Sequence, residues 1–233
     1  MKKNLALPLL LVSPMLLSTP QAMANTYIQF GLGTTQINKD DDTVTFKDNT
    51  RLTPGSSSSD QRFTLGYRDE SLGVEVSYRQ TGTDAEKEIQ ARSPGEIPAL
   101  PSGISGGTPN EYEEEWETDL KTQQLAVKGV YFQDLGKQFT LKAGLGLTYT
   151  EYEQKSSHTQ SWEEDRVGPD WEYDRVNRSK SSDSAVGGIA SIAVDYTPAP
   201  DSLPNLKVGL EAAATSDKYS TSQSLYGTLG WVF

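Results

Sequence analysis

The sequence predicts an all-β chain folded as an eight-stranded antiparallel up-and-down transmembrane β-barrel, with short turns at one end and long loops at the other. Three observations carry this expectation. Eight segments alternate apolar and polar residues with a period of two, so each presents one apolar and one polar face. The connections between them alternate long and short, the asymmetry that a membrane barrel with short periplasmic turns and long extracellular loops requires. The last segment, Ser224 to Phe233, runs to an aromatic end, whereas soluble chains usually fray into polar residues.

The first segment carries an address. Lys2 and Lys3 precede an apolar run from Leu5 to Leu17, and Ala22-Met23-Ala24 follows with small residues at the cleavage-determining positions. Residues 1–24 are therefore expected to be a Sec-type signal peptide, leaving 25–233 as the barrel. The run is too short for a membrane-spanning helix, and Pro8 and Pro14 interrupt it. Without Lys2 and Lys3 the chain carries about −13 charges, which argues against nucleic acid as a partner. Cysteine is absent, so disulfides do not hold the fold. No later stretch approaches the ~20 apolar residues of a spanning helix.

The strands follow in order. The first places Ile28, Phe30 and Leu32 on one face, and a polar stretch at about 34–60 holds Asp40-Asp41-Asp42 and Pro54-Gly55. The second sets Phe63, Leu65 and Tyr67 against Arg62, Thr64 and Gly66; after a short turn the third sets Leu72, Val74, Val76 and Tyr78 against Glu75 and Arg79. A long segment at about 82–118, rich in Pro and Gly, leads to the fourth, where Leu125, Val127 and Tyr131 oppose Gln124, Ala126, Lys128 and Val130. The fifth runs from Phe139 to Tyr149 with Lys142 on its polar side. Its ten steps, tilted as barrel strands are, span roughly 24 Å, close to the ~25 Å apolar band. Another polar segment occupies about 153–182. The sixth strand runs from Val186 to Tyr196, the seventh from Leu206 to Ala213 with Glu211 inside, and a short loop at about 215–218 precedes the eighth.

In that last strand Leu225, Leu229, Trp231 and Phe233 share a face, and the pattern resembles the closing strand of bacterial outer-membrane β-barrels. The whole layout resembles the OmpX type and the transmembrane domain of OmpA, with accessory colonisation factors as a further possible relative. The resemblance implies residence in the Gram-negative outer membrane, contact with its lipid and lipopolysaccharide, and assembly by the barrel-assembly machinery through the C-terminal strand. Tyr67, Tyr78, Tyr131, Phe139, Tyr149, Tyr196, Tyr219 and Trp231 are expected to form two aromatic girdles.

The inward charges Glu75, Lys128, Lys142, Glu211 and Arg62 are expected to form a paired layer across the lumen. An eight-stranded barrel is only wide enough for side chains to fill, so this layer is a plug, or alternatively a gate whose ion pairs re-partner to pass small ions. Catalytic chemistry is thinly supplied. The one histidine, His158, is expected in the third long loop, three residues from Ser161, unlike lipid A deacylase barrels, in which the two lie two apart on a strand, so no catalytic residue, metal or cofactor is assigned. Asp40-Asp41-Asp42 lacks the spacing of a Ca²⁺ site. Tyr112, Trp116, Trp162, Trp171 and Tyr173 stand among acids in the long segments, where they are candidate contacts for an extracellular receptor or stiffeners of strand extensions. The expected function is non-enzymatic: adhesion or colonisation, surface interaction or envelope integrity. A narrow channel is the alternative. A lipid A-modifying hydrolase and a soluble lipocalin-like binder, the latter with inverted faces, stand further off.

Overall fold

The computed structural model describes residues 25–39, 43–93, 95–104, 108–164 and 171–233. The expected signal peptide and Asp40 to Asp42 lie outside these. Ten strands occur among the described residues: β1 (Thr26–Lys39), β2 (Val44–Thr45), β3 (Arg51–Leu52), β4 (Ser57–Asp69), β5 (Leu72–Ala91), β6 (Glu111–Leu135), β7 (Phe139–Glu164), β8 (Trp171–Tyr196), β9 (Leu206–Ser216) and β10 (Ser220–Val232). Strands β1 and β4 to β10 pair antiparallel in sequence order, and β10 closes the ring on β1, from Tyr27 opposite Val232 to Lys39 opposite Ser220. The chain is an eight-stranded up-and-down barrel, and β2 with β3 forms a separate small hairpin.

The faces decide its solvent. Ile28, Phe30, Leu32, Phe63, Leu145, Leu147, Val186 and Leu229 are exposed on the outside, while Gln29, Arg62, Glu75, Lys128 and Glu211 are buried inside. Apolar outside and polar inside is the arrangement of a transmembrane barrel, and it excludes the soluble ligand-binding alternative, which needs the reverse. Tyr67, Tyr131, Phe139, Tyr149, Tyr196 and Trp231 all face outward and are exposed. The Phe139 and Tyr196 rings lie 5.1 Å apart. Tyr219 departs from the expected girdle: its ring packs edge-on against Tyr152 at 6.1 Å, beside the buried Leu120 and Ala185, because the 217–219 turn bends it over the barrel mouth.

The strands are unequal. β5 to β8 have 20 to 26 residues, whereas β1, β4, β9 and β10 have 11 to 14. Much of the segments expected as loops at about 82–118 and 153–182 is therefore strand, paired from Leu72–Tyr131 up to Ala91–Tyr112 and from Phe139–Tyr196 up to Glu164–Trp171. Backbone pairing continues beyond the lipid because its hydrogen bonds need a partner strand and no apolar face. The result is a four-stranded sheet on one side of the barrel mouth. Small inward residues make room for the lumen's side chains: a Cβ on Gly66 would collide with the Tyr27 ring laid across it.

Candidate functional site

The lumen is filled in layers. At the short-turn end Tyr27, Val130 and Phe132 form an apolar floor, with Tyr27 edge-on to Phe132 at 6.2 Å and the Arg68 guanidinium 4.8 Å over the Phe132 ring. Above it lies a layer of three cations and three anions. Lys128 Nζ is 2.7 Å from Glu75 and 3.0 Å from Glu211, Lys142 Nζ is 3.1 Å from Asp195 and 3.7 Å from Glu75, and Arg62 grips Glu211 with both terminal nitrogens. Tyr27 donates to Glu75 at 2.6 Å, and Lys142 donates to Gln29 at 3.2 Å. The expected set of Glu75, Lys128, Lys142, Glu211 and Arg62 thus meets in one network, which Asp195 balances. Neutralisation within the layer offsets the cost of desolvating six charges.

A further layer was not legible in the sequence. Asp60 accepts hydrogen bonds from Thr35 at 2.6 Å and Tyr226 at 2.8 Å and lies 4.0 Å from Arg79, while Arg62 stands 4.2 Å over the Tyr226 ring. Ala126, Ile189 and Ala213 form an apolar patch higher in the lumen. Leu120, Tyr152 and Ala185, with Tyr219, form another beneath the mouth.

The sheet above the mouth corrects the expected contact residues. Tyr112, Trp116 and Trp162 are buried, not displayed. They lie on the face that continues the lumen wall, where Phe46, just past β2, meets His158, the stacking partner of Trp116, and Pro98 of the β5–β6 connection meets Trp162. Trp162 Nε1 donates to the Pro98 carbonyl at 3.1 Å, and its ring stands 5.1 Å from Tyr112 and 5.8 Å from the half-buried Tyr173. Trp116 stacks flat on His158 with ring centroids 5.1 Å apart and planes 8° apart, and Lys87 Nζ stands 5.2 Å over the indole. The signal lay in parity: Tyr112, Trp116, Thr118, Leu120 and Thr122 share the inward face of β6 with Gln124 and Lys128. Trp171 is placed by its backbone pairing with Glu164.

The sheet's outer face is charged. Across β5 and β6, Asp84 opposes Asp119, Glu86 opposes Glu117, Glu88 opposes Glu115 and Gln90 opposes Glu113. Directly opposed like charges destabilise a ladder. Burial raises the Glu115 carboxyl above its ordinary value, and the charges of Glu86, Glu117, Glu113 and Glu88 add to the rise. On β7 and β8 the sign mixes: Glu153 pairs with Lys180 and, at 3.1 Å, with Lys155. Hydrogen bonds from Lys180 and then Lys155 hold the Glu153 carboxyl below its ordinary value.

His158 and Ser161, three apart on β7, point to opposite faces, so the strand does not bring together a nucleophile and its base. His158 instead meets Glu114, Nε2 to Oε1 at 2.8 Å, with Asp48 beside them.

No protein-family model and no curated protein sequence matches the chain. Among solved structures it is similar to the attachment invasion locus protein Ail of Yersinia pestis, crystallised with the heparin analogue sucrose octasulfate, at 11% identity over 90% of this chain and 98% of that one, with a TM-score of 0.47. It is also similar to Neisserial surface protein A, at 16% identity over 89% and 97% with a TM-score of 0.46. A third is OprG of Pseudomonas aeruginosa, at 12% identity over 91% and 97% with a TM-score of 0.44. The barrel assignment rests on the strand ring and its inverted faces.

Proposed function

We propose that the chain is an outer-membrane surface protein whose barrel is a closed anchor and whose working part is the sheet it lifts out of the membrane. The observation that carries this reading is the unbroken continuation of β5 to β8 from the lipid band into a sheet with an acidic outer face. About 13 residues of β5 lie above Tyr78, roughly 40 Å of strand. Strands shared with a plugged barrel give that face a rigid mount, which lowers the ordering cost of binding. In this reading signal-directed export delivers the chain, and Leu225, Leu229, Trp231 and Phe233 engage the barrel-assembly machinery. Lipid and lipopolysaccharide surround the belt. The carboxylate rows on β5 and β6 select a cationic partner surface in adhesion, colonisation or envelope integrity.

The test is adherence of cells displaying the native chain against cells displaying a variant with Glu86, Glu88, Glu115 and Glu117 changed to Gln, at matched surface levels. Loss of salt-sensitive adherence supports the reading; unchanged adherence removes the acidic face from it.

A narrow channel is the second reading, favoured by Lys142 standing between two carboxylates, 3.1 Å from Asp195 and 3.7 Å from Glu75. Planar-bilayer recordings separate the two. Reproducible steps abolished by Lys142→Ala would make the barrel a conduit, and silence leaves it an anchor.

A further inference from the structure

We propose that Asp48, Glu114 and His158 form a binding site for a divalent transition-metal ion of the Zn²⁺ class on the inner face of the extracellular sheet, where the ion pins the β2–β3 hairpin to β6 and β7. Three segments distant in sequence bring one ligand atom each to within 4.8 Å of one another. Asp48 comes from the turn of the small hairpin, Glu114 from β6 and His158 from β7.

Each side chain is already oriented. His158 is stacked on Trp116 and meets the Phe46 ring edge-on at 6.2 Å, so its Nε2 is directed at Glu114 Oε1, 2.8 Å away. Gln160 Nε2 donates to the same Glu114 oxygen at 3.0 Å. Asp48 accepts from the Thr50 amide at 3.1 Å and hydroxyl at 2.9 Å. Glu114 and His158 are largely covered while Asp48 is exposed, so an ion has an entry path on the hairpin side.

The chemistry selects the ion. Two carboxylates converge on one imidazole, and a dication neutralises the negative charge they bring together. One nitrogen and two oxygens suit Zn²⁺ and its neighbours; Ca²⁺ and Mg²⁺ prefer sites made of oxygen alone. Bonds of about 2.1 Å at tetrahedral angles set ligand atoms about 3.4 Å apart. The three ligand atoms already lie within 4.8 Å of one another, close to that spacing. Three protein ligands leave a fourth position for water or a group from a partner.

The experiment titrates Zn²⁺ alone into the full chain folded in detergent, by calorimetry with tryptophan fluorescence as a second readout. The expected result is one ion per chain, at least tenfold weaker in His158→Ala, in Glu114→Gln and in Asp48→Asn, and not displaced by equimolar Ca²⁺. Folding of each variant is checked by heat-modifiable gel migration. If His158→Ala fails to assemble, the isosteric Asp48→Asn change on the exposed hairpin decides the question. Absence of saturable binding at micromolar Zn²⁺ would overturn the proposal. So would affinity unchanged by these substitutions, or displacement by Ca²⁺, which would assign the ion to the outer carboxylate rows.

Discussion

Lys128 and Glu75 meet at 2.7 Å in the middle of the barrel, each about 1% exposed, and the same ammonium reaches Glu211 at 3.0 Å. One cation therefore separates two carboxylates that would otherwise face each other out of water. Lys128→Met is expected to destabilise the barrel by about 3 to 5 kcal/mol, the usual cost of stranding a buried charge. Adding Glu75→Gln to that variant is expected to recover part of the loss. Urea titrations followed by circular dichroism measure both, and a single substitution costing under about 1 kcal/mol would mean that water reaches the layer.

Tyr226 is the counterpart on the closing strand. Its hydroxyl donates to Asp60 at 2.8 Å beneath the Arg62 guanidinium. Tyr226→Phe keeps the ring and removes one bond to a buried carboxylate, so the expected loss is about 1.5 to 3 kcal/mol. Tyr226→Leu also removes the cation–π contact and is expected to cost more in the same titration.

Trp162 ties the β5–β6 connection to the sheet through its bond to the Pro98 carbonyl. Trp162→Phe is expected to leave heat-modifiable migration unchanged while speeding protease cleavage within residues 92–110. Equal cleavage rates in the two chains would show that the connection is held by other contacts.

Glu153 gives the upper β7–β8 hairpin a pH dependence. Its folded carboxyl is held below the ordinary value by Lys180 and Lys155. The stabilisation is therefore present above the unfolded value near 4.3 and is lost as pH falls through the lower folded value. Glu153 is partly exposed, so screening keeps the effect under about 1 kcal/mol. Hydrogen exchange of the β7–β8 amides is expected to quicken as the pH is lowered through this range, after correction for intrinsic rates. Glu153→Gln is expected to abolish that dependence.

Across the outer carboxylate rows, Glu86→Lys opposite Glu117 replaces a repulsion with an attraction. The expected gain is about 0.2 to 1 kcal/mol, read as slower exchange of the same ladder's amides.

The ring and its inner charged layer were legible in the sequence because both depend on parity. Lys128 shares a face with Gln124 and Ala126 whatever the partner strand, and the short turns set a common height for Glu75, Lys142 and Glu211. Asp60 with Tyr226 was not legible, because that contact reaches from β4 past β1 to β10, and the stagger of a closed barrel leaves no local mark. The place of Trp116 is hidden for another reason. Its neighbours Glu113, Glu115 and Glu117 are charged, and that composition masks the alternation that places it inside. Asp48 meets Glu114 and His158 through a hairpin outside the barrel, where no periodicity indicates what it will cover.

Because β6 runs without interruption from Glu111 to Leu135, its length cannot change freely over evolutionary time. Deleting one residue near Thr122 would turn Tyr112 and Trp116 toward solvent and bring Glu113, Glu115 and Glu117 beneath the covering segments, while Lys128 stayed where it is. Homologues should therefore differ along this strand by even numbers of residues, compensate a single step with a bulge, or confine odd changes to the hairpin tips.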